Sequence, residues 1–252
     1  MTRIIMHGCN GKMGQVITGI CANDPDCEIG AGIDISDHIK TNTYPVFTDI
    51  NACDVDADVV IDFASAKAVD GLLDFCEKRA LPLVLCTTGL SEEQLARVKK
   101  HSEKTAVLRS ANMSLGINML LKVLKEVSKT LAPAGFDIEI VEKHHNQKVD
   151  APSGTALALA DSINDALDSE YHYVYDRSSY RQKRDPKEIG ISAVRGGNIV
   201  GEHEVIFAGP DEVITITHTA YSKALFANGA VQAAKYLKGK PAGLYDMTKV
   251  IG

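Results

Sequence analysis

The sequence predicts an α/β protein in which a doubly wound parallel sheet is joined to an α+β domain with an antiparallel or mixed sheet. In the first half of the chain, short apolar runs alternate with segments whose apolar residues recur at helical spacing. In the second half, a long amphipathic helix is followed by strand-like segments separated by glycine-containing turns. We expect residues 1–114, joined by 225–252, to form the first domain and residues 115–224 to form the second.

The first domain is predicted to contain five buried strands. They include or end at Ile4–Met6, Ile33–Asp34, Asp58–Phe63, Leu83–Cys86 and Ala106–Leu108. Apolar residues at helical spacing predict helices between these strands, and Ser91 with Gln94 forms a capping-box pattern at the start of one helix. Strands that alternate with helices are typical of a parallel sheet covered on both faces.

The second domain begins with the amphipathic helix, which runs from Ile117 to Leu131 and is ended by Pro133. The segment 136–140 then alternates like a half-buried strand, and 156–167 has the pattern of a helix. Three more strands are expected at 189–195, 199–207 and 212–221, with a final helix at about 222–237. The turns Gly196-Gly197-Asn198 and Gly209-Pro210-Asp211 between those strands predict an antiparallel meander.

Composition and charge exclude several classes of protein. A net charge of −6 argues against general nucleic-acid binding. No run approaches the roughly 18 apolar residues of a membrane span, and the chain enters its first apolar run at once, so we expect a cytoplasmic protein. All six cysteines lie within the first 86 residues and none forms a Cys-x-x-Cys pair. Free thiols are therefore expected, with no metal site.

A glycine-rich loop follows the first predicted strand and opens the first helix. Its glycines, Gly8, Gly11 and Gly14, have the spacing G-x-x-G-x-x-G, and Asp34 follows 20 residues after the last of them. Such a loop brings backbone N–H groups close to a pyrophosphate, and an acid at that distance accepts the ribose hydroxyls. The first domain is thus predicted to be a Rossmann-like domain that binds a nicotinamide dinucleotide.

Ligands of open parallel sheets sit beyond the carboxyl ends of the strands, so the ends of the later strands should also line the site. The predicted cofactor-binding residues are Gly8, Cys9, Asn10, Gly11, Lys12, Met13, Asp34, Cys86, Thr87, Thr88, Ser110, Ala111, Asn112 and Met113. Because Asp34 is followed by Ile35 and not by an arginine, we expect NADH to be preferred. NADPH is the alternative cofactor if Lys12 or Lys40 reaches its additional phosphate.

The run from Glu142 to Ala156 cannot be explained by core packing. It holds His144, His145 and Lys148 on a strand-to-helix connection and places Ser153-Gly154-Thr155 at the start of the following helix. A helix start with small residues favours bound anions, and protonatable groups beside it indicate proton transfer to an acidic substrate. The alternative interpretation is a capped helix preceded by a solvated polar loop.

Two other functions remain open at this point. Cys86-Thr87-Thr88, with a distant histidine, could belong to an NAD-dependent amino-acid or aldehyde dehydrogenase in which Cys86 is the nucleophile. A non-catalytic dinucleotide sensor would leave the Ser-Gly-Thr start of the helix unexplained. His203 and His218 fall within predicted strands, where we expect paired or solvated side chains.

Taken together, these motifs resemble one family, the 4-hydroxy-tetrahydrodipicolinate reductases of lysine biosynthesis, also called dihydrodipicolinate reductases. The resemblance spans essentially the whole chain, and its most specific part is Glu-x-His-His-x-x-Lys-x-Asp-x-Pro-Ser-Gly-Thr-Ala, at residues 142–156. It also covers 8–14, 61–63, 87–89, 111–112, 195–196, 201–203 and 226–230. Cys86 stands where the family usually has glycine, and Ile35 stands where some members carry a phosphate-binding arginine.

The resemblance implies that hydride passes from NAD(P)H to a cyclic imine dicarboxylate, after which a neighbouring carbon is protonated. It implies that His144 and Lys148 donate the proton, that His145 and Lys148 contact the substrate, and that the start of the helix binds it through Ser153, Gly154 and Thr155. Gly154 and Thr155 would hold a carboxylate through backbone N–H and hydroxyl groups. The family is also typically a homotetramer built from strands of the second domain, and its last helix returns to the first domain.

Overall fold

The computed structural model describes residues 1–38, 40–179 and 181–252 and divides into two compact units. The first unit is Met1–Leu115 with Ala224–Gly252, and the second is Gly116–Lys223. Both units combine strands with helices, and we describe each by itself. Within the described residues, no helix is both long enough and apolar enough to span a bilayer.

The strands and helices are numbered in chain order. The strands are β1 (Thr2–His7), β2 (Cys27–Ile33), β3 (Val46–Phe47), β4 (Val59–Asp62), β5 (Leu83–Leu85), β6 (Ala106–Leu108), β7 (Asp137–His144), β8 (His172–Val174), β9 (Glu188–Arg195), β10 (Gly201–Ala208), β11 (Val213–Ala220) and β12 (Gly243–Tyr245). The helices are α1 (Lys12–Ala22), α2 (Val69–Arg79), α3 (Glu92–Ser102), α4 (Leu115–Leu131), α5 (Gly154–Ala166), α6 (Ala224–Leu237) and α7 (Met247–Ile251). Short 3₁₀ turns lie at Ile50–Ala52 and Ala66–Ala68.

The first unit is built on a parallel sheet with the strand order β12-β6-β5-β4-β1-β2-β3. Successive side chains of a strand point to opposite faces, so Ile4 and Met6 pack with α1 and α6, whereas Ile5 packs with α2. The predicted α/β class is confirmed. The edge strands β3 and β12 were not predicted, because two or three residues are too few to show a period. Strand order reverses between β1 and β4, and this is where such sheets bind ligands.

The predicted capping box at the start of α3 is confirmed. The hydroxyl of Ser91 accepts the N–H of Gln94, and the Gln94 side chain accepts the N–H of Ser91. The next helix, α4, runs from Leu115 to Leu131, as the apolar spacing predicted.

The second unit holds a mixed sheet with the strand order β11-β10-β7-β9-β8. The predicted antiparallel meander is confirmed for β10 and β11, which pair antiparallel. It is wrong for β9 and β10, because β7 lies between them, parallel to β9 and antiparallel to β10. The glycine turn at 196–198 marks where the two flanking strands end but carries no information on their neighbours. β7 takes the centre because Ile138 and Ile140 are fully buried against α4 and α5 and both of its edges are paired.

This strand order decides what surrounds the end of β7. The connection from β9 to β10 must cross that end, and it bonds there: the N–H of Gly196 donates to His144 O (2.9 Å), and the N–H of Asn146 donates to Gly197 O (3.2 Å). The pairing of β9 with β7 places Arg195, the last residue of β9, opposite His144, where the predicted His/Lys connection begins.

Candidate functional site

In the first unit, the glycine loop brings the start of α1 against the end of β1. A Cβ on Gly14 would lie 2.3 Å from Gly8 O and 2.6 Å from Cys9 O, so only glycine permits this approach. Gly8 has a φ of +82°, and a Cβ there would lie 2.8 Å from Phe63 O. The loop therefore has the close backbone packing that a pyrophosphate-binding turn requires.

Asp34 joins the end of β2 to this loop. Its Oδ2 accepts the N–H of Asn10 (2.8 Å), and its Oδ1 accepts the N–H of Ile35 (2.8 Å). The Asn10 amide in turn donates to Ser36 O (2.6 Å) and accepts from Asn42 (2.9 Å). The carboxylate is thus held in one orientation, as an acceptor of ribose hydroxyls must be.

A cleft of about 750 Å³ opens beside these residues, large enough to take part of a dinucleotide. Its lining includes four of the predicted cofactor residues, Gly8, Asn10, Gly11 and Asp34. It does not include the predicted residues Cys9, Lys12, Met13, Cys86, Thr87, Thr88, Ser110, Ala111, Asn112 and Met113.

Sequence reasoning missed several residues of the cleft. Thr48 and Asp49 follow β3, which was not predicted, and Ser65 and Lys67 follow β4. The rule that ligands lie beyond strand ends could have identified the second pair, because β4 was predicted. The exposed ammonium of Lys67 is the cation among the lining residues, whereas the cations predicted near the additional phosphate were Lys12 and Lys40.

A buried hydrogen-bonded pair at the ends of β1 and β4 was also missed. His7 Nδ1 lies 2.7 Å from Asp62 Oδ1, and both side chains are buried. His7 also lines the cleft, and the N–H of Ala64 donates to the same carboxylate oxygen (3.2 Å). The pair joins two neighbouring strands at the cleft and orients the imidazole there.

The predicted residues at the ends of β5 and β6 differ in their surroundings. Thr87 is buried, and among the residues that the structure describes its hydroxyl has no hydrogen-bond partner, as would be expected of a group that meets a bound ligand. Asn112 accepts the N–H of Ser114 (2.8 Å). The carbonyl of Met113 lies so close to α6 that a Cβ on Gly229 would be 1.7 Å from it. The glycine loop, the oriented carboxylate of Asp34 and the hydroxyl of Thr87 together fit a bound dinucleotide.

Cys86 does not have the surroundings of a nucleophile. Burial and the Asp62 carboxylate raise the pKa of its thiol well above the ordinary value. A cysteine nucleophile needs a lowered pKa, so this environment disfavours the dehydrogenase interpretation. We expect Cys86→Ser to keep most of the turnover, measured as NADH oxidation at saturating substrate. Loss of turnover with unchanged NADH affinity would instead support a nucleophilic Cys86.

In the second unit, the buried carboxylate of Glu142 is the centre of the His/Lys site. Its Oε2 lies 2.6 Å from His144 Nδ1 and accepts Arg195 Nη1 (2.7 Å). Its Oε1 accepts Arg195 Nη2 (2.7 Å) and the N–H of Ser153 (2.9 Å). Burial raises the pKa of the Glu142 carboxyl, but the bonds from Arg195, His144 and Ser153 outweigh burial and hold the pKa below its ordinary value. Glu142 is therefore ionised at neutral pH.

His203 lies behind His144. Its Nε2 is 3.0 Å from the hydroxyl of Ser153, and its ring meets that of His144 edge to face with centroids 5.2 Å apart. Burial, with the neighbouring His144, lowers the pKa of His203 to about 4, so the ring is neutral. His203 is thus a paired strand histidine, as expected from the sequence. Burial also lowers the pKa of His218, which is opposite it on β11.

Ser153 caps α5, as the sequence predicted, because its hydroxyl accepts the N–H of Ala156 (3.2 Å). Asp150 binds both the loop and the helix start. Its carboxylate accepts Lys148 Nζ (2.9 Å), and that bond, together with one from the N–H of Gly154, lowers the pKa of Asp150. Arg195 Nη2 also donates to Asp150 O (2.6 Å).

The structure therefore gathers His144, Lys148 and the start of α5 around Glu142, Arg195 and Asp150. His145 is half-buried next to His144, and Thr155 follows Gly154 in the first turn of α5. Sequence reasoning assigned no role to Glu142, Arg195 or Asp150, although all three lie within or opposite the motif. Within the described ranges, no group of three or more His, Cys, Asp and Glu side chains could hold a metal ion. The arrangement can bind an anion and deliver a proton beside it.

Comparison with known proteins identifies two matching family models. The model described as dihydrodipicolinate reductase, N-terminus, matches residues 2–113. The model described as dihydrodipicolinate reductase, C-terminus, matches residues 116–251. Together they cover nearly the whole chain.

Similar proteins support the same relationship. The 4-hydroxy-tetrahydrodipicolinate reductase of Caldanaerobacter subterraneus subsp. tengcongensis is 52% identical over 100% of this chain and 98% of its own length. That of Clostridium tetani is 50% identical over 98% of this chain and 96% of its own length. A dipicolinate-bound dihydrodipicolinate reductase from Paenisporosarcina sp. TG-14 shares the fold, with a TM-score of 0.81 at 24% identity over 98% of this chain and 97% of that one.

Proposed function

Because the chain belongs to the dihydrodipicolinate reductase family, we propose that its His144 and Lys148 protonate the substrate that a pyridine nucleotide reduces. The reaction of the chain is the NAD(P)H-dependent reduction of 4-hydroxy-tetrahydrodipicolinate to tetrahydrodipicolinate, on the diaminopimelate route to lysine. The observation that supports the proton donors is the hydrogen-bonded assembly around Glu142.

The first unit would hold the cofactor. Backbone N–H groups of the glycine loop would bind its pyrophosphate, and Asp34 would accept hydroxyls of the adenosine ribose. When bound, the nicotinamide supplies a hydride. Gly8 and Gly14 keep the loop compact enough for this, since a side chain at either position would meet backbone atoms within 3 Å.

The second unit would hold the cyclic imine dicarboxylate. The start of α5 provides a site for one carboxylate at Gly154 and Thr155, and Ser153 forms its cap. His145 and Lys148 are the proposed further contacts, with the ammonium of Lys148 opposite the substrate's negative charge. The 4-hydroxyl of the substrate leaves as water, which creates a carbon–carbon double bond conjugated with the imine. Hydride addition to that bond leaves an enamine, and one proton from His144 or Lys148 adds to the neighbouring carbon and restores the imine. The sum is one hydride and one proton added, and one water released, for each carbon–carbon double bond reduced.

One assay tests the activity directly. Pyruvate and aspartate semialdehyde are condensed to form the substrate, and NADH oxidation is followed with and without the purified chain, beside an identical series with NADPH. Substrate-dependent oxidation of either nucleotide is the expected result. Oxidation of neither one by folded protein would contradict the function.

The cofactor preference carries a separate prediction, in favour of NADH. Asp34 can accept two ribose hydroxyls but repels a 2′-phosphate at close range, and no cation is adjacent in sequence. Charge-assisted hydrogen bonds contribute about 1.5–3 kcal/mol, and 1.4 kcal/mol is about tenfold in affinity. We therefore expect kcat/KM to favour NADH by about tenfold.

The double variant Asp34→Ala with Ile35→Arg should shift this preference toward NADPH. Lys67→Ala is a matched control, because it removes the cation that the cleft itself provides and leaves the acid in place. If the unmodified chain uses NADPH as well as NADH and Lys67→Ala abolishes that use, Lys67 and not Asp34 determines the preference.

The assembly and location are further proposals. We propose a homotetramer whose contacts include the β11 side of the second sheet, where Val213 is 62% exposed and Ile214 is 37% exposed on an edge strand. An edge strand with exposed apolar side chains can pair with a strand of another chain. A cytoplasmic location stays a prediction from the sequence.

A further inference from the structure

We propose that Glu142 is a positioning residue that fixes the tautomer of His144, so that Nδ1 always carries a proton and Nε2 alone exchanges one with the substrate. This inference rests on the proposed role of His144 as a proton donor. It assigns the reacting atom, and it gives a role in the reaction to a carboxylate that touches neither substrate nor cofactor.

Hydrogen-bond donors surround the carboxylate of Glu142. Arg195 reaches both carboxylate oxygens at 2.7 Å, and the N–H of Ser153 reaches Oε1 at 2.9 Å. None of these groups can accept a hydrogen bond. Glu142 is therefore surrounded by donors on three sides and is held as a carboxylate without its own proton.

The fourth contact of Glu142 is with His144. A carboxylate can only accept, so the 2.6 Å contact between Glu142 Oε2 and His144 Nδ1 requires a proton on Nδ1. In the neutral ring, Nε2 then carries the lone pair, and in the protonated ring it carries the proton that can leave. Nδ1 is thus used in the hydrogen bond that orients the ring, and Nε2 is left to exchange a proton with the substrate, as is usual for oriented histidines.

His144 Nε2 faces Gly201. A Cβ placed on Gly201, the first residue of β10, would lie 3.1 Å from His144 Nε2. Glycine at this position of β10 thus leaves space beside His144 Nε2 that a larger side chain would fill. The His144 side chain is 11% exposed, and none of the hydrogen bonds among the described residues uses Nε2. Nε2 is therefore the ring nitrogen that stays available to a substrate.

The imidazolium of His144 breaks its Nε2–H bond, the proton forms a C–H bond with the enamine carbon, and the ring becomes neutral with Nδ1 still protonated. A proton from water restores the imidazolium before the next turnover. The carboxylate of Glu142 keeps its charge throughout and accepts the hydrogen bond from Nδ1 both before and after the transfer.

Replacing Glu142 by glutamine gives a sharp test because the amide has one oxygen. That oxygen should face Arg195 Nη2 and the N–H of Ser153, because the reverse orientation would set the NH₂ group against both of these donors. The NH₂ group then faces His144 Nδ1 and the single donor Arg195 Nη1. His144 is forced into the opposite tautomer, with its proton on Nε2 and no means of forming the imidazolium against the amide donor. We expect kcat to fall by roughly 10²-fold, with KM and NADH affinity changed by less than about threefold.

Glu204→Gln is the matched control, since it also removes a carboxylate that binds a cation on the same sheet. Glu204 accepts Lys143 Nζ (2.7 Å) and lies on β10, one residue from the position opposite Glu142. We expect it to leave kcat within about twofold. If Glu142→Gln keeps normal kcat while His144→Ala is inactive, the positioning role of Glu142 is wrong, but His144 is still supported as the proton donor. If both keep normal kcat, the donor assignment itself is wrong.

Nitrogen-15 spectra of the histidine side chains provide a readout that does not depend on activity. The His144 signals of the unmodified chain are identified by their loss in His144→Gln. In its neutral form we expect the proton on Nδ1 and an unprotonated Nε2. The reverse tautomer in the unmodified chain would overturn the proposal, and reversal in Glu142→Gln alone would support it.

Discussion

Replacing His144 or Lys148 by alanine is expected to lower turnover by roughly 10²–10⁴-fold, the usual contribution of a positioned general acid. Each side chain is oriented by a carboxylate, His144 by Glu142 (2.6 Å) and Lys148 by Asp150 (2.9 Å). Glu142 could not take over the role of His144, because Arg195 and the N–H of Ser153 still bind its carboxyl and lower the pKa of that group. Steady-state NADH oxidation at saturating substrate measures the loss.

NADH affinity should be unchanged in both variants, because the predicted cofactor residues all belong to the first unit. Lys143→Ala is the control for a lost lysine, since Lys143 precedes His144 but binds Glu202 and Glu204 on β10. It should retain turnover. Near-normal turnover of both His144→Ala and Lys148→Ala, with folding confirmed by circular dichroism, would remove both residues from the proton-transfer step.

Local features of the site could be predicted from the sequence because they depend on neighbours in the chain. The start of α5 is an example: Ser153 can cap only the helix that follows it, and small residues after Pro152 favour a helix start. The loop after β1 is another, since Gly8 and Gly14 meet backbone atoms within a few residues of themselves or at the adjacent strand end. In both cases the spacing of residue types carries the structural information.

Features that depend on strand order could not be predicted. Arg195 reaches Glu142 only because β7 lies between β9 and β10, an arrangement that the turn residues 196–198 do not specify. The His7–Asp62 pair likewise requires β1 and β4 to be neighbours, 55 residues apart in sequence. Charged side chains near a motif could have been suspected of pairing, but their partners follow from topology and not from periodicity.

Gly14→Ala is expected to be severely damaging, because its methyl group would lie 2.3 Å from Gly8 O, 2.6 Å from Cys9 O and 2.7 Å from Cys9 Cα. All three are backbone atoms that cannot rotate away, so α1 must move from the end of β1. Such overpacking costs about 1–3 kcal/mol of unfolding free energy. The movement also displaces the loop N–H groups, so we expect at least about tenfold weaker NADH binding, equivalent to about 1.4 kcal/mol.

Gly19→Ala is the matched control, since Gly19 lies in the same helix with no atom of a neighbouring element within 4 Å of its added Cβ. Alanine is the better helix former by about 1 kcal/mol, so this variant should be slightly more stable and bind NADH normally. Urea unfolding and NADH fluorescence titration on both variants give the comparison. We expect Gly14→Ala to lower the free energy of unfolding and Gly19→Ala to raise it. Such a difference in sign would show that the loss at Gly14 comes from its close approach to the loop and not from the general effect of replacing a glycine in a helix. Equal stability and equal NADH affinity of the two variants would show that α1 is not held against the loop as the structure describes.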